Sequence, residues 1–154
     1  MTQHQRALTT YASRLLRGDV ERARDVVQET FLRLWQAERA GIEDHLAAWL
    51  YTVCRNRALD VRKKESRMQP IEHPRPAVAA GTPYTHADQK ERTGLALQAI
   101  GHLPERQQEL VRLKFQGGLS YREIADVTGL SVSNVGYVLH VALKSVREQL
   151  RSQR

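Results

Sequence analysis

The chain has a single cysteine, few aromatic residues and no apolar run near the roughly 18 residues of a membrane span. Cys54 cannot close an internal disulfide, which argues against a disulfide-stapled secreted domain. The N-terminus, with Arg6 among threonine, glutamine and histidine, carries no signal-peptide core, so a cytoplasmic protein is expected. Apolar residues make up 41% of the 154 positions, enough for a packed interior, but aromatics make up only 6%. One large core would normally hold more rings, so two small helical units fit at least as well as one domain. The six histidines (His4, His45, His73, His86, His102 and His140) have no ligand spacing, and Cys54 has no CxxC partner. With no phosphate-binding glycine loop either, nothing speaks for an enzyme, a metal or a cofactor. Cys54 lies on an apolar helical face and reads as a small core residue.

What the chain has in quantity is positive charge: net +7, with a pI near 10.0 and arginine supplying most of its 24 cations. Such a balance favours a polyanionic partner, because each cation near a phosphate releases condensed counterions. A solvated basic surface gives the same composition, and charge alone leaves both readings open. Proline divides the chain. Pro70, Pro74, Pro76 and Pro83 fall together with Gly81 in a stretch without helical periodicity, read as a flexible linker over 69–88. Residues 1–68 carry 13 cations against 9 anions and residues 89–154 carry 10 against 6, while the linker has 1 against 2. Both lobes are basic and the tether is not, which suits two modules on one polyanion.

The spacing predicts three helices in the first lobe, over about 4–17, 21–38 and 46–66, and no convincing strand. Gly18-Asp19 closes the first and Gly41 breaks the second. Val26, Val27, Phe31, Leu34 and Trp35 form the apolar face of the second. The third has Trp49, Leu50, Val53, Ala58, Leu59 and Val61, then Arg55, Arg57, Arg62, Lys63, Lys64 and Arg67 against only Asp60 and Glu65. Cations suit a helix C-terminus in any case, yet this cluster behind Trp49 and Tyr51 also fits nucleic-acid contact.

After the linker, helices are predicted over about 89–101, 104–116, 120–127 and 132–150. Pro104 opens the second of these, where a missing N–H costs nothing. Ser120-Tyr-Arg-Glu123 has the form of a capping box, and Gly129 supplies the positive φ of a tight turn. Ala125 is small where two helices would cross, and Ile124, Leu130, Val135 and Leu139 fill the shared core. A short helix, a glycine turn and a capped long helix together form the helix-turn-helix that lays its second helix in the major groove; a plain helical hairpin is the bland reading. Along the last helix, Val135, Leu139, Ala142, Val146 and Leu150 form the buried stripe. Ser133, Asn134, Gly136, Tyr137, His140 and Lys144 are left outward, with Ser131 in the turn before them. Asn134 could read adenine, and Ser133 or Tyr137 could touch phosphate or base.

These motifs in this order resemble the small two-domain bacterial sigma factors, the extracytoplasmic-function group. Asp25-Val-Val-Gln-Glu-Thr-Phe-Leu-Arg-Leu-Trp35 is similar to the region 2 helix that binds the clamp helices of RNA polymerase. Trp49-Leu-Tyr-Thr-Val-Cys-Arg-Asn-Arg-Ala-Leu-Asp60 is similar to the segment that melts and reads the −10 element. Leu103-Pro-Glu-Arg-Gln-Gln-Glu-Leu and Leu119-Ser-Tyr-Arg-Glu-Ile-Ala are similar to region 4, which reads the −35 element. The resemblance implies an all-α fold of two domains, 1–68 and 89–154, acting with core RNA polymerase and promoter DNA and held inactive, as in many family members, by an anti-sigma protein. It implies docking by Asp25, Gln28, Glu29, Arg33 and Trp35. It implies capture of a flipped −10 base by Asn56 with Arg55 and Arg57, and phosphate contacts from Arg62, Lys63, Lys64 and Arg67. Ser131, Ser133, Asn134, Gly136, Tyr137, His140 and Lys144 would face the −35 element.

Three departures stand beside the resemblance. The family usually has a further helix before the counterpart of Thr9-Thr10-Tyr11, so the first domain is expected to be trimmed, less stable or completed by a partner. The recognition helix lacks the usual cations and shows Gly136, Val138, Val141 and Leu143, which predicts binding at that element that is weaker or depends more on protein contacts, with Val138 and Val141 as an apolar docking surface. There is no region 3 domain, as in the small subgroup. The alternative function is a helix-turn-helix regulator, or a sigma-like decoy, that does not initiate transcription.

Overall fold

The computed structural model describes residues 2–38, 41–68 and 87–152. Among these there are seven α-helices and no strand: α1 (Thr2–Leu15), α2 (Val20–Gln36), α3 (Leu46–Met68), α4 (Ala87–Gly101), α5 (Glu105–Phe115), α6 (Tyr121–Thr128) and α7 (Val132–Ser152). A 3-10 turn over Glu43–His45, which the periodicity did not announce, leads into α3. The all-α expectation is met, with helix ends shifted by one or two residues, the scatter usual at frayed termini. All but the last two residues of the expected linker lie outside the described residues.

Local chemistry sets the helix ends. Between α1 and α2 the chain reverses through Arg17 and Gly18, both left-handed at φ 58° and 86°, and the Gly18 N–H donates to Ser13 O at 2.7 Å. Asp19 then caps α2, its carboxylate accepting from the Arg22 N–H at 3.1 Å. In the second lobe the capping box is complete. Ser120 Oγ accepts from the Glu123 N–H at 3.1 Å while Glu123 Oε1 accepts from the Ser120 N–H at 2.9 Å. Gly129 ends α6 at φ 81°, and Ser131 Oγ accepts from the Asn134 N–H at 3.1 Å to open α7.

The first three helices bury Leu8, Tyr11, Ala12 and Leu15 of α1 against Val26 and Val27 of α2 and Leu50, Tyr51, Cys54 and Ala58 of α3. Each fully buried aliphatic side chain removed from water is worth about 1.5–3 kcal/mol. Tyr11 and Tyr51 meet edge to face, ring centroids 5.1 Å apart at 78°, an arrangement the ring quadrupoles favour. In the second lobe Leu110 and Leu113 of α5, Leu119, Ile124 of α6 and Val135, Leu139 and Ala142 of α7 form the centre. Leu130 and Val146, expected in that core, are half-buried and packed against it.

The two lobes touch. α6 packs on α3, and the buried apolar residues of both lobes form one continuous cluster. Gly117 marks a close approach: a Cβ there would lie 3.0 Å from Tyr51 Cε2 and 2.8 Å from Leu113 O. That glycine is needed for lack of space.

Candidate nucleic-acid interface

On α3 the 3.6-residue period separates two kinds of cation. Asn56, Lys63 and Arg67 stand at i, i+7 and i+11 on one exposed face, with Lys64 beside them. Arg55 and Arg62, seven residues apart on another face, turn to the second lobe. Arg55 Nε–H donates to Glu109 Oε1 at 2.9 Å, with side chains only 15% and 10% exposed. An Arg62 Nη1–H donates to Glu105 Oε1 at 3.1 Å. Arg57 takes a third direction and donates to Glu29 of α2 at 2.7 Å. The seven expected −10 residues are therefore one solvent-facing strip of four, two residues held by α5, and one held by α2. Asn56 is exposed between two arginines that point away from it.

Glu29 also meets Arg33 at 3.7 Å, so it joins the expected docking set to α3. Elsewhere Arg22 of α2 pairs with Glu65 of α3. Asp25, Gln28 and Trp35 share the exposed face of α2, and Trp35 is 77% exposed. The structure adds Leu32 to them, at i+7 from Asp25 and three residues before Trp35. Sequence reasoning passed over Leu32, although its position out of phase with Val27, Phe31 and Leu34 was the available signal.

On α7, Ser133, Tyr137, His140 and Lys144 stand at i, i+4, i+7 and i+11 on one exposed face, flanked by Asn134. Tyr137 is 68% exposed. Gly136 differs from its expected neighbours. It is half-buried, and a Cβ on it would meet the Tyr121 ring of α6 at 3.6 Å. Lys114 also lies over that ring, its Nζ 5.4 Å from the centroid. Ser131 is occupied as the cap of α7, its hydroxyl still at the exposed surface.

The buried titratable groups lie in the core, Tyr11 within electrostatic reach of the Arg55–Glu109 pair. Burial pushes the Cys54 thiol up to about 12, partly offset by a hydrogen bond with Thr30, which fits a core cysteine and not a reactive one. Burial, then the nearby Cys54, pushes Tyr51 up to about 12, while Tyr11 is raised well above the usual phenol value, again chiefly by burial. Among the described residues no group of three or more histidine, cysteine or acidic side chains could hold a metal, and no helix is long and apolar enough to cross a membrane.

The helix-turn-helix, the three-helix lobe before it and their order define a two-domain sigma-70-type factor. The Sigma-70 region 2 family model matches residues 1–68 and the Sigma-70 region 4 model matches residues 94–146. The chain is 32% identical over 155 residues to the ECF RNA polymerase sigma factor SigL of Mycobacterium tuberculosis, covering 97% of this chain and 85% of SigL. It is 28% identical over 135 residues to the ECF RNA polymerase sigma factor RpoE of Cereibacter sphaeroides, covering 83% of this chain and 72% of that one. The fold matches the sigma factor RpoE of Bartonella quintana, solved in complex with the anti-sigma factor NepR, with a TM-score of 0.69 at 23% identity over 98% of this chain and 94% of that one. This chain belongs to the extracytoplasmic-function family of RNA polymerase sigma factors.

Proposed function

We propose that the chain directs core RNA polymerase to specific promoters, with residues 1–68 docking the polymerase and opening the −10 element and residues 89–154 reading the −35 element. The carrying observation is the pair of exposed faces in the first lobe: Asp25, Gln28, Leu32 and Trp35 on α2, and Asn56, Lys63, Lys64 and Arg67 on α3. A mixed acidic and apolar face suits a protein partner, because an exposed tryptophan beside an exposed leucine is the kind of anchor that dominates interface energy. The basic strip suits a phosphate backbone. Asn56, exposed at its head, has a side-chain amide that can donate to and accept from an unstacked base, and such bonds offset the few kcal/mol that extruding a base costs.

The α7 face carries a single lysine among its stripe residues, so its electrostatic share is small. Base contact there comes from Ser133, Asn134, Tyr137 and His140. Affinity comes from holding both lobes on one polymerase, where the second contact becomes intramolecular. A stand-alone helix-turn-helix regulator would leave the α2 face without a role. Initiation from a promoter library by core polymerase plus this chain tests the proposal. Run-off transcripts from a restricted promoter set support it; binding to duplex DNA without association with core polymerase favours the regulator.

A further inference from the structure

We infer that Arg112 of α5 and Arg14 of α1 hold a small phosphate-class oxyanion where α5 faces the first lobe. The inference goes beyond the promoter-directing reading and does not depend on it. Arg112 is 5% exposed, and its Nε is buried with no hydrogen-bond partner among the described residues. A buried guanidinium is strongly unfavourable unless a counter-charge meets it, and an orphaned buried donor calls for a partner.

The surroundings show the sign of the missing partner. Glu105, Glu109 and Arg112 stand at i, i+4 and i+7 on one face of α5. Glu105 meets Arg62 and Glu109 meets Arg55, so two of these positions are compensated ion pairs. At the third, the charge acting on Arg112 is a second guanidinium, Arg14, and neither of the two forms an ion pair among the described residues. Burial, then Arg14, lowers the Arg112 pKa to about 10, which leaves it cationic at neutral pH. Four guanidiniums thus stand against two carboxylates, a surplus of two positive charges that one phosphate dianion neutralises. The guanidinium fork matches phosphate oxygens with parallel N–H donors, and a grip through Nε uses the atom left unpartnered here. Arg14 is half-buried, so the cluster reaches solvent at its α1 end, while burial of Arg112 limits the occupant to a single phosphate group. Free phosphate and the terminal phosphate of a nucleotide share that chemistry.

Isothermal titration calorimetry of the full chain with inorganic phosphate, ionic strength held constant with chloride, tests the site. Arg112→Leu removes the buried charge and Arg14→Gln the half-buried one, where folding is less at stake. Arg147→Gln on the exposed side of α7 controls for net charge, and circular dichroism checks helicity. One saturable site is expected in the wild-type chain. Its affinity should fall at least about tenfold in each of the first two variants, the worth of one charge-assisted hydrogen bond, and hold in the control. Phosphate should also raise the melting point of the wild-type chain and not that of Arg112→Leu. Titration with ADP separates the sources: tighter binding than phosphate assigns the site to a nucleotide, equal or weaker binding to the free ion. Absence of saturable phosphate and ADP binding, or equal binding by all four chains, overturns the inference.

Discussion

Arg55 and Glu109 are separated by 54 positions in sequence and joined by a 2.9 Å hydrogen-bonded ion pair between α3 and α5. Both are mostly withdrawn from solvent, so removing one partner strands the other. Arg55→Ala is expected to cost the free chain about 2–3 kcal/mol in denaturant unfolding. Arg62→Ala, whose partner Glu105 is largely exposed, is expected to cost at most about 0.5 kcal/mol. Equal losses at the two positions would mean that burial does not distinguish the pairs.

Trp35 and Leu32 are surface residues, and their truncation separates binding from folding. The Trp35→Ala/Leu32→Ala chain is expected to keep its thermal midpoint within a few degrees while losing at least about tenfold in affinity for core polymerase, an anchor-sized effect. Pull-down with core polymerase and a melting curve check both halves.

Asn56→Ala is expected to leave polymerase binding intact and to slow promoter opening about tenfold or more, read by permanganate footprinting of the −10 region. Each lost hydrogen bond to a base is worth about 1–1.5 kcal/mol. Equal loss of opening and of polymerase binding would remove Asn56 from base capture.

The lysines and arginine of the α3 strip make a salt prediction. If the strip follows the backbone as proposed, neutralising Lys63, Lys64 and Arg67 together is expected to remove three phosphate contacts and, for single-stranded DNA, to flatten the slope of log K against log salt by about 2. Titrating the holoenzyme's open complex against potassium glutamate measures it; an unchanged slope would place the strip off the DNA.

Cys54 makes an alkaline prediction. Its thiol loses its proton near 9 when unfolded and holds it to about 12 when buried. The unfolded chain therefore binds fewer protons above pH 9, and stability falls as pH rises from there toward 12, by up to about 1.4 kcal/mol per pH unit. Melting curves from pH 8 to 10 should show a shallower fall for Cys54→Ala. Tyr51 adds the same tendency from about pH 10 upward, and Arg112 opposes it there.

Short-range chemistry was legible in the sequence. Ser120 with Glu123, Gly129, Pro104 and the 3–4 residue stripe of α7 act within one or two turns, so spacing alone specified them. Relations across the fold were not. Gly136 lies outward on a helical wheel, and nothing in spacing tells that Tyr121 folds over it. Arg55 and Arg62 read as part of one basic cluster with Lys63 and Lys64, because the carboxylates that hold them belong to a helix beyond the linker. Leu32 stands out of phase with the inward-packing face of α2, which is where the apolar period points, so spacing alone assigned it no role.

The most direct measurement of the central claim is run-off transcription by purified core RNA polymerase across a promoter library, with and without this chain and its Trp35→Ala variant. The account predicts transcripts from a narrow promoter set that require the wild-type chain and fall sharply with the variant. A chain that binds duplex promoter DNA unaided, yet neither joins core polymerase nor yields a transcript from any promoter, would contradict it.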